Sequence, residues 1–234
     1  MRFAGIRPLV RRLTLMIVAA MAIGGCGSSD ARKPPAATSD LRFEFKLLAG
    51  ENEIDQTVTI ENPGDTSLAP ELEYTPLDAA GEPMPDIRVK TAYGSDSGRL
   101  VVPARWAVLD VLRFEGPGAR KVEDVDVRVR EADKLAIERP TEEAEIQRLD
   151  KGRPVEYDHL FDSFRLTNPG DAEIDVRVAL IEYELPPEGE SQQWIRVTEL
   201  APLTTLAAGA KKTIRLPRQV RGRVIGSVKP YFSR

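Results

Sequence analysis

The chain reads as an all-β protein, and three features of its 234 residues say so. Apolar side chains alternate over short stretches such as Val58-Thr59-Ile60 and Phe164-Arg165-Leu166, the period of a strand with one buried face. Eighteen prolines and 17 glycines stand mostly between such stretches, a share that suits a turn-rich β protein and stays below the level of disorder. The strand-and-turn unit also occurs twice. Val58-Thr59-Ile60-Glu61 runs into Asn62-Pro63-Gly64-Asp65, and Phe164-Arg165-Leu166-Thr167 runs into Asn168-Pro169-Gly170-Asp171. In each turn the proline presets the first turn angle and the glycine accepts a positive φ.

The first segment is of a different kind. Residues 1–12 carry Arg2, Arg7, Arg11 and Arg12 and no acid, and residues 13–23 are an uncharged apolar run of 11. That length fits the apolar region of a secretory signal and falls short of the roughly 20 residues needed to cross a bilayer. The run ends in Ile23-Gly24-Gly25-Cys26, which resembles the lipobox of bacterial lipoproteins: an aliphatic residue and two small ones before a cysteine. Ile23 and Gly24 stand where that family most often has Leu and Ala or Ser. The resemblance implies cleavage of a 1–25 signal peptide and acylation of Cys26. It places the body at a cell membrane, facing the extracytoplasmic side, and several acyl chains together anchor stably where one alone binds marginally. Residues 26–40 then read as a lipidated tether of small, polar and proline residues. Extended, the 14 residues after Cys26 reach roughly 45–50 Å.

Cys26 is the sole cysteine, so one chain forms no internal disulfide and no cysteine-based metal site. Without residues 1–25 the charge balance is 29 basic against 37 acidic side chains, or −8. An acidic body of this kind repels nucleic acid and anionic lipid surfaces, which argues against both as main partners.

Further landmarks extend the repeat. Leu72-Glu73-Tyr74 and Leu180-Ile181-Glu182-Tyr183 each follow the turn and lead to another one. Trp106 and Trp194 come later, in strand-like segments. Gly118-Ala119-Arg120-Lys121 then aligns with Gly209-Ala210-Lys211-Lys212, each before a closing strand. On that alignment the first copy is 15 residues longer, which predicts an insertion near 85–103 with Gly94-Ser95-Asp96-Ser97-Gly98 at its tip. Between the copies, residues 136–153 are expected to be a connector with a short surface helix over 141–149. Thr141 would cap it, Glu142, Glu143 and Glu145 would suit its positive end, and only Ile146 and Leu149 would share an apolar face.

The order of landmarks resembles the Ig-like modules common in bacterial surface lipoproteins. The late elements are Leu206-Ala207-Ala208-Gly209 in copy two and Phe114-Glu115-Gly116-Pro117-Gly118 in copy one. The resemblance implies two duplicated Ig-like β-sandwich domains, over 41–135 and 154–234. It speaks to fold more than to activity.

No catalytic constellation emerges from the residues. His159 is the only histidine, so any Ser-His-Asp triad depends on it, and an edge-strand role suits it better. The G-x-S-x-G pattern fails at 94–98, where Asp96 holds the serine position. One histidine, Met84 and an acylated cysteine leave too few soft ligands for copper or zinc. Asp124 and Asp126 share a strand face with Arg128 and Arg130, which reads as a charge-paired surface rather than a calcium site. Nucleotide-binding glycine loops are absent. The sequence therefore predicts no cofactor, no metal and no catalytic residue. It predicts a non-enzymatic envelope scaffold whose protein partner it does not identify. A carbohydrate- or peptidoglycan-binding lipoprotein stands second, with Trp106 and Trp194 as its platforms if they are not core. A carboxylate-dependent hydrolase stands third.

Overall fold

The structure is a computed structural model that describes residues 40–48, 54–156, 159–184, 191–218, 220 and 226–234. The expected signal peptide, Cys26 and the expected tether up to residue 39 lie outside the described residues. Every long element is a strand, as the alternation predicts. The first half holds β1 (Arg42–Lys46), β2 (Thr57–Asn62), β3 (Ser67–Leu77), β4 (Arg88–Thr91), β5 (Trp106–Glu115) and β6 (Asp124–Leu135). These form an antiparallel sheet in the order β1-β2-β5-β4 and a second pair, β3-β6. Val58 and Ile60 of β2, fully buried, join one apolar cluster with Leu72, Leu100 and Leu112.

The second half holds β7 (Glu145–Asp150), β8 (Arg153–Pro154), β9 (Ser163–Thr167), β10 (Ile174–Tyr183), β11 (Trp194–Leu206), β12 (Lys211–Arg215) and β13 (Ser227–Phe232). Its sheets run β8-β7-β9-β12 and β11-β10-β13. The helix expected over 141–149 does not form. Residues 145–150 are β7, paired with β9 from Glu145↔Thr167 to Leu149↔Ser163. A helix there had two apolar residues to bury, whereas the strand sets Ile146 against Leu166, buries Leu149 and satisfies its backbone in a ladder. Thr141 caps no helix. Its hydroxyl donates to Asp171 Oδ1 (2.9 Å) and accepts from the Asp171 N–H (3.2 Å), which pins the second Asn-Pro-Gly-Asp turn.

The two turns share one hydrogen-bond pattern. Asn62 Nδ2 donates to the Thr66 and Val102 carbonyls (2.9 and 3.1 Å), and Asn168 Nδ2 to those of Ala172 and Leu206 (2.8 and 3.1 Å). The Gly64 and Gly170 N–H groups donate back to the asparagine Oδ1. Leu68 bridges Val102 as Ile174 pairs with Leu206. The strand order β1-β2-β5 matches β7-β9-β12. Val102–Arg105 is therefore the counterpart of Leu206–Gly209, which corrects the expected pairing through Phe114–Gly118. Gly118-Ala119-Arg120-Lys121 instead forms a 3-10 turn before β6, which pairs with β3, while Gly209–Lys212 leads into β12, which pairs with β9. Asn62 to Arg105 and Asn168 to Gly209 differ in length by two residues only, and residues 85–103 stand where the second half has β11.

The described residues form one unit. Two apolar clusters fill it, and each draws on both halves. Ala179, Ile181, Trp194 and Tyr231 join the first, and Ala69 and Val101 join the second. Strand β10 lies between them, with Ala179 and Ile181 facing one cluster and Val178 and Leu180 the other. An unbroken apolar run from Val178 to Ile181 is what a strand covered on both faces needs.

Candidate functional site: a cleft and the buried carboxylate behind its wall

A cleft of about 1540 Å³ opens between β2 and β5 on one side, β13 on another and β7 on a third. Trp106, Leu109, Tyr183 and Ile195 line it, with Tyr93 and Tyr231 at one wall. Leu109 and Ile195 are 40% and 51% exposed, which is high for large apolar side chains that line one concavity. Lys46, Lys229, Arg148 and Glu143 supply charge at its borders.

The two tryptophans do not hold analogous places. Trp106 opens β5 and pairs with Asn62, whereas Trp194 opens β11 and pairs with Tyr183. Trp194 is buried and donates its indole N–H to the Val111 carbonyl (3.3 Å), and the Arg113 guanidinium sits 5.4 Å from its ring. Trp106 is half-buried, lies edge-on to Phe232 (6.4 Å, 88°) and faces the cleft. Of the two expected platforms, only Trp106 is on the cleft.

The wall that carries Tyr93 is a loop between β4 and β5. It contains Gly94 and Gly98, both in the left-handed region (φ 83° and 68°), with a 3-10 turn at Ser95–Ser97 between them. Glycine suits such angles, which cost other residues roughly 1–2 kcal/mol. The loop binds the carboxyl end of β13. Val101 N–H donates to the Phe232 carbonyl (3.1 Å), and Arg234 Nε donates to the Gly98 carbonyl (2.6 Å). Tyr93 stacks on Tyr231 with ring centroids 4.5 Å apart.

Asp110, fully buried, holds this loop from beneath. Its Oδ1 accepts from the N–H groups of Tyr93 (2.8 Å) and Val111 (2.7 Å), and its Oδ2 from that of Ser95 (3.1 Å). The Ser95 hydroxyl also bonds it, and lies 2.6 Å from the Tyr74 hydroxyl. Burial pushes the Asp110 carboxyl up to about 6, against the hydrogen bonds from Ser95, Tyr93 and Val111, which pull it down. The same burial raises Tyr74 and Tyr93, with the Asp110 charge adding to both. Asp110 carries a signal that the sequence shows on inspection. In Trp106-Ala107-Val108-Leu109-Asp110-Val111-Leu112, the alternation that points Val108 and Leu112 inward points Asp110 inward too.

The other sequence candidates fall elsewhere. Asp96, in the place of a nucleophilic serine, is exposed and accepts from the Thr91 hydroxyl (2.7 Å). His159 is exposed on the loop between β8 and β9. Asp126 pairs with Arg128 (3.1 Å), and Arg130 with Glu71 (3.3 Å), along the outer face of β6. Met84 packs against the first core. Among the described residues, no three side chains of the types that hold metals converge, and no helix is long and apolar enough to cross a membrane. No family model, no curated protein and no solved structure matches the chain.

Proposed function

We propose that this chain is a lipid-anchored, non-enzymatic interaction protein of the cell envelope, acylated at Cys26, that binds a protein partner in the cleft between β2, β5, β7 and β13. The cleft carries the reading. It combines a large open volume with exposed Leu109 and Ile195 and half-buried Trp106 and Tyr183. Apolar and aromatic side chains left in contact with water in one concavity are the usual anchors of an interface. The basic, apolar and small-residue run before Cys26 supports the membrane half of the proposal. An internal duplication of an Ig-like module belongs to the same proposal, supported by the matched asparagine turns.

Two experiments test it. Cys26→Ala is expected to move the chain from the membrane fraction to the soluble one, and unchanged partitioning rules out the anchor. A photo-crosslinker at position 109 is expected to capture an envelope protein that one placed at exposed Asp126 does not. Equal capture from both positions rules out the cleft.

Trp106 at the cleft favours carbohydrate as the second reading, since an accessible indole face stacks on sugar rings. Retention of the full chain on wall polysaccharide, lost in Trp106→Ala, selects that reading over the first.

A further inference from the structure

We propose that β5 is a docking edge, and that the partner bound in the cleft supplies an extended segment that pairs as a strand along Ala107 and Leu109. This rests on the cleft being the binding site and names what that site takes.

The hydrogen-bond parity of β5 leaves those two residues open. The Leu112 N–H donates to the Gln56 carbonyl (2.8 Å), so on the register with β2 it is Asp110, Val108 and Trp106 that bond Val58, Ile60 and Asn62. The odd-numbered residues turn their N–H and C=O groups to the other edge. β4 pairs there from Leu112 to Glu115, and the Ala92 N–H takes the Val111 carbonyl (2.9 Å). β4 ends at Thr91, and the chain then leaves the edge, because the Tyr93 and Ser95 N–H groups turn to the Asp110 carboxyl on the core face. Among the described residues no strand lies beside Ala107 and Leu109. Both are exposed and line the cleft. They present two donors and two acceptors, in pairs roughly 7 Å apart along the strand.

Neither proline, lysine nor a bulge guards this stretch of β5, as they commonly guard an exposed edge. β13, which also lines the cleft, shows the contrast. Its Ser233 N–H donates to the Asp175 carbonyl (3.3 Å), so its even-numbered residues face away from β10. On that edge Pro230 has no N–H. The Gly226 carbonyl there accepts from Arg148 (3.3 Å), and the Phe232 carbonyl from the Val101 N–H (3.1 Å).

An extended polypeptide is the occupant these groups select. Main-chain donors and acceptors at strand spacing are matched by another main chain, as in strand addition to a sheet edge. A second copy does not fit, because its own β5 edge is recessed in the same concavity. The side chains beside the edge set the character of the segment. Leu109 on one face, and Trp106 and Val108 on the other, are its cross-strand neighbours, and Val228 and Phe232 line the same cleft. None is charged. The segment is therefore apolar on both faces and free of proline at the paired positions.

Two measurements on the full chain test this. Amide exchange of the unbound chain is expected to alternate along β5, with Ala107 and Leu109 exchanging about 100-fold faster than Val108 and Asp110. Equal protection of all four overturns the open edge and leaves the cleft reading standing. The second measurement uses the photo-crosslinker at position 109. The captured residues of the partner are expected to lie in one apolar stretch of about six residues. Ala107→Pro removes an edge N–H but no bond to β2, and is expected to lower capture about tenfold. Ala107→Thr keeps that N–H and is expected to retain capture. Equal capture by the two variants, or crosslinks scattered over separate segments of the partner, overturns the strand and leaves the cleft reading standing. Capture of a second copy of this chain, or of wall polysaccharide in place of a protein, also overturns it. Capture no greater than from a crosslinker at Asp126 overturns both.

Discussion

Arg105 and Gly209 hold the same backbone position in the two halves. Each donates its N–H to the carbonyl of the turn glycine, Arg105 to Gly64 (3.0 Å) and Gly209 to Gly170 (3.2 Å). Each has a positive φ, 53° and 67°. One half places there the residue that tolerates the left-handed region, and the other an arginine that does not and that pairs with exposed Asp65.

This asymmetry has measurable consequences. Gly209→Ala is expected to cost about 1 kcal/mol from backbone strain alone. A Cβ on Gly209 meets nothing within 4 Å, so no packing change confuses the result. Arg105→Gly is expected to be neutral or to stabilise by up to about 1 kcal/mol, because an exposed ion pair is worth little beside the relieved strain. Urea midpoints at constant m-value measure both.

Asn168 is the tighter of the two turn asparagines, with no exposed surface and a third carbonyl, that of Ala207, at 3.0 Å. Asn168→Ala leaves those carbonyls unsatisfied and is expected to cost about 2–4 kcal/mol. Asn168→Asp is expected to be at least as damaging, because it turns a carboxylate oxygen toward acceptors. Equilibrium unfolding of the two variants ranks them, and a tolerated aspartate argues against the donor role.

The Asp110 carboxyl makes global stability depend on pH in an unusual direction for an acid. Its value is raised in the folded chain, so its contribution is fully present below 3.8 and is lost as pH rises to about 6. The loss amounts to about 3 kcal/mol over that window. Asp110→Asn is expected to lack this component, though its amide opposes the Ser95 N–H and lowers stability overall. Unfolding free energies at a series of pH values, wild type minus variant, isolate the effect.

The two tryptophans are expected to separate folding from binding. Trp194→Ala removes a buried ring and its indole hydrogen bond and is expected to cost about 3–5 kcal/mol. Trp106→Ala removes a half-buried ring at the cleft and is expected to cost less while weakening capture of the proposed cleft partner. Thermal unfolding and the crosslinking yield at position 109 give the two readouts.

Residues with a local signature were legible before the fold was known. Val58 and Ile60 alternate with polar neighbours and are buried, and the Asn-Pro-Gly-Asp tetrapeptides end strands in both halves. Ile146 was misread because two apolar residues three apart share a face only on a helix, and pairing with β9 overrode that spacing. The alignment through Gly118 and Gly209 failed for a similar reason. Glycine followed by small and basic residues is common turn chemistry, whereas the likeness of Arg105 to Gly209 rests on φ and on a hydrogen bond. Neither is visible in residue identity. Asp110 was legible in its alternation, but its four donors come from residues 93, 95 and 111, a constellation the chain assembles only on folding.

The amino-acid sequence by itself determined that the chain is all-β, where its strands begin and end around the asparagine turns, and that Cys26 is its single thiol. Those properties follow from side-chain periodicity, turn preference and composition, which act over a few residues. Tertiary structure alone decided that β10 is buried between two cores, that Trp106 reaches the cleft while Trp194 does not, and that Asp110 lies sealed beneath the loop that carries Tyr93 and Ser95. Each of those depends on which strands lie side by side, and that is set by long-range packing that no local pattern encodes.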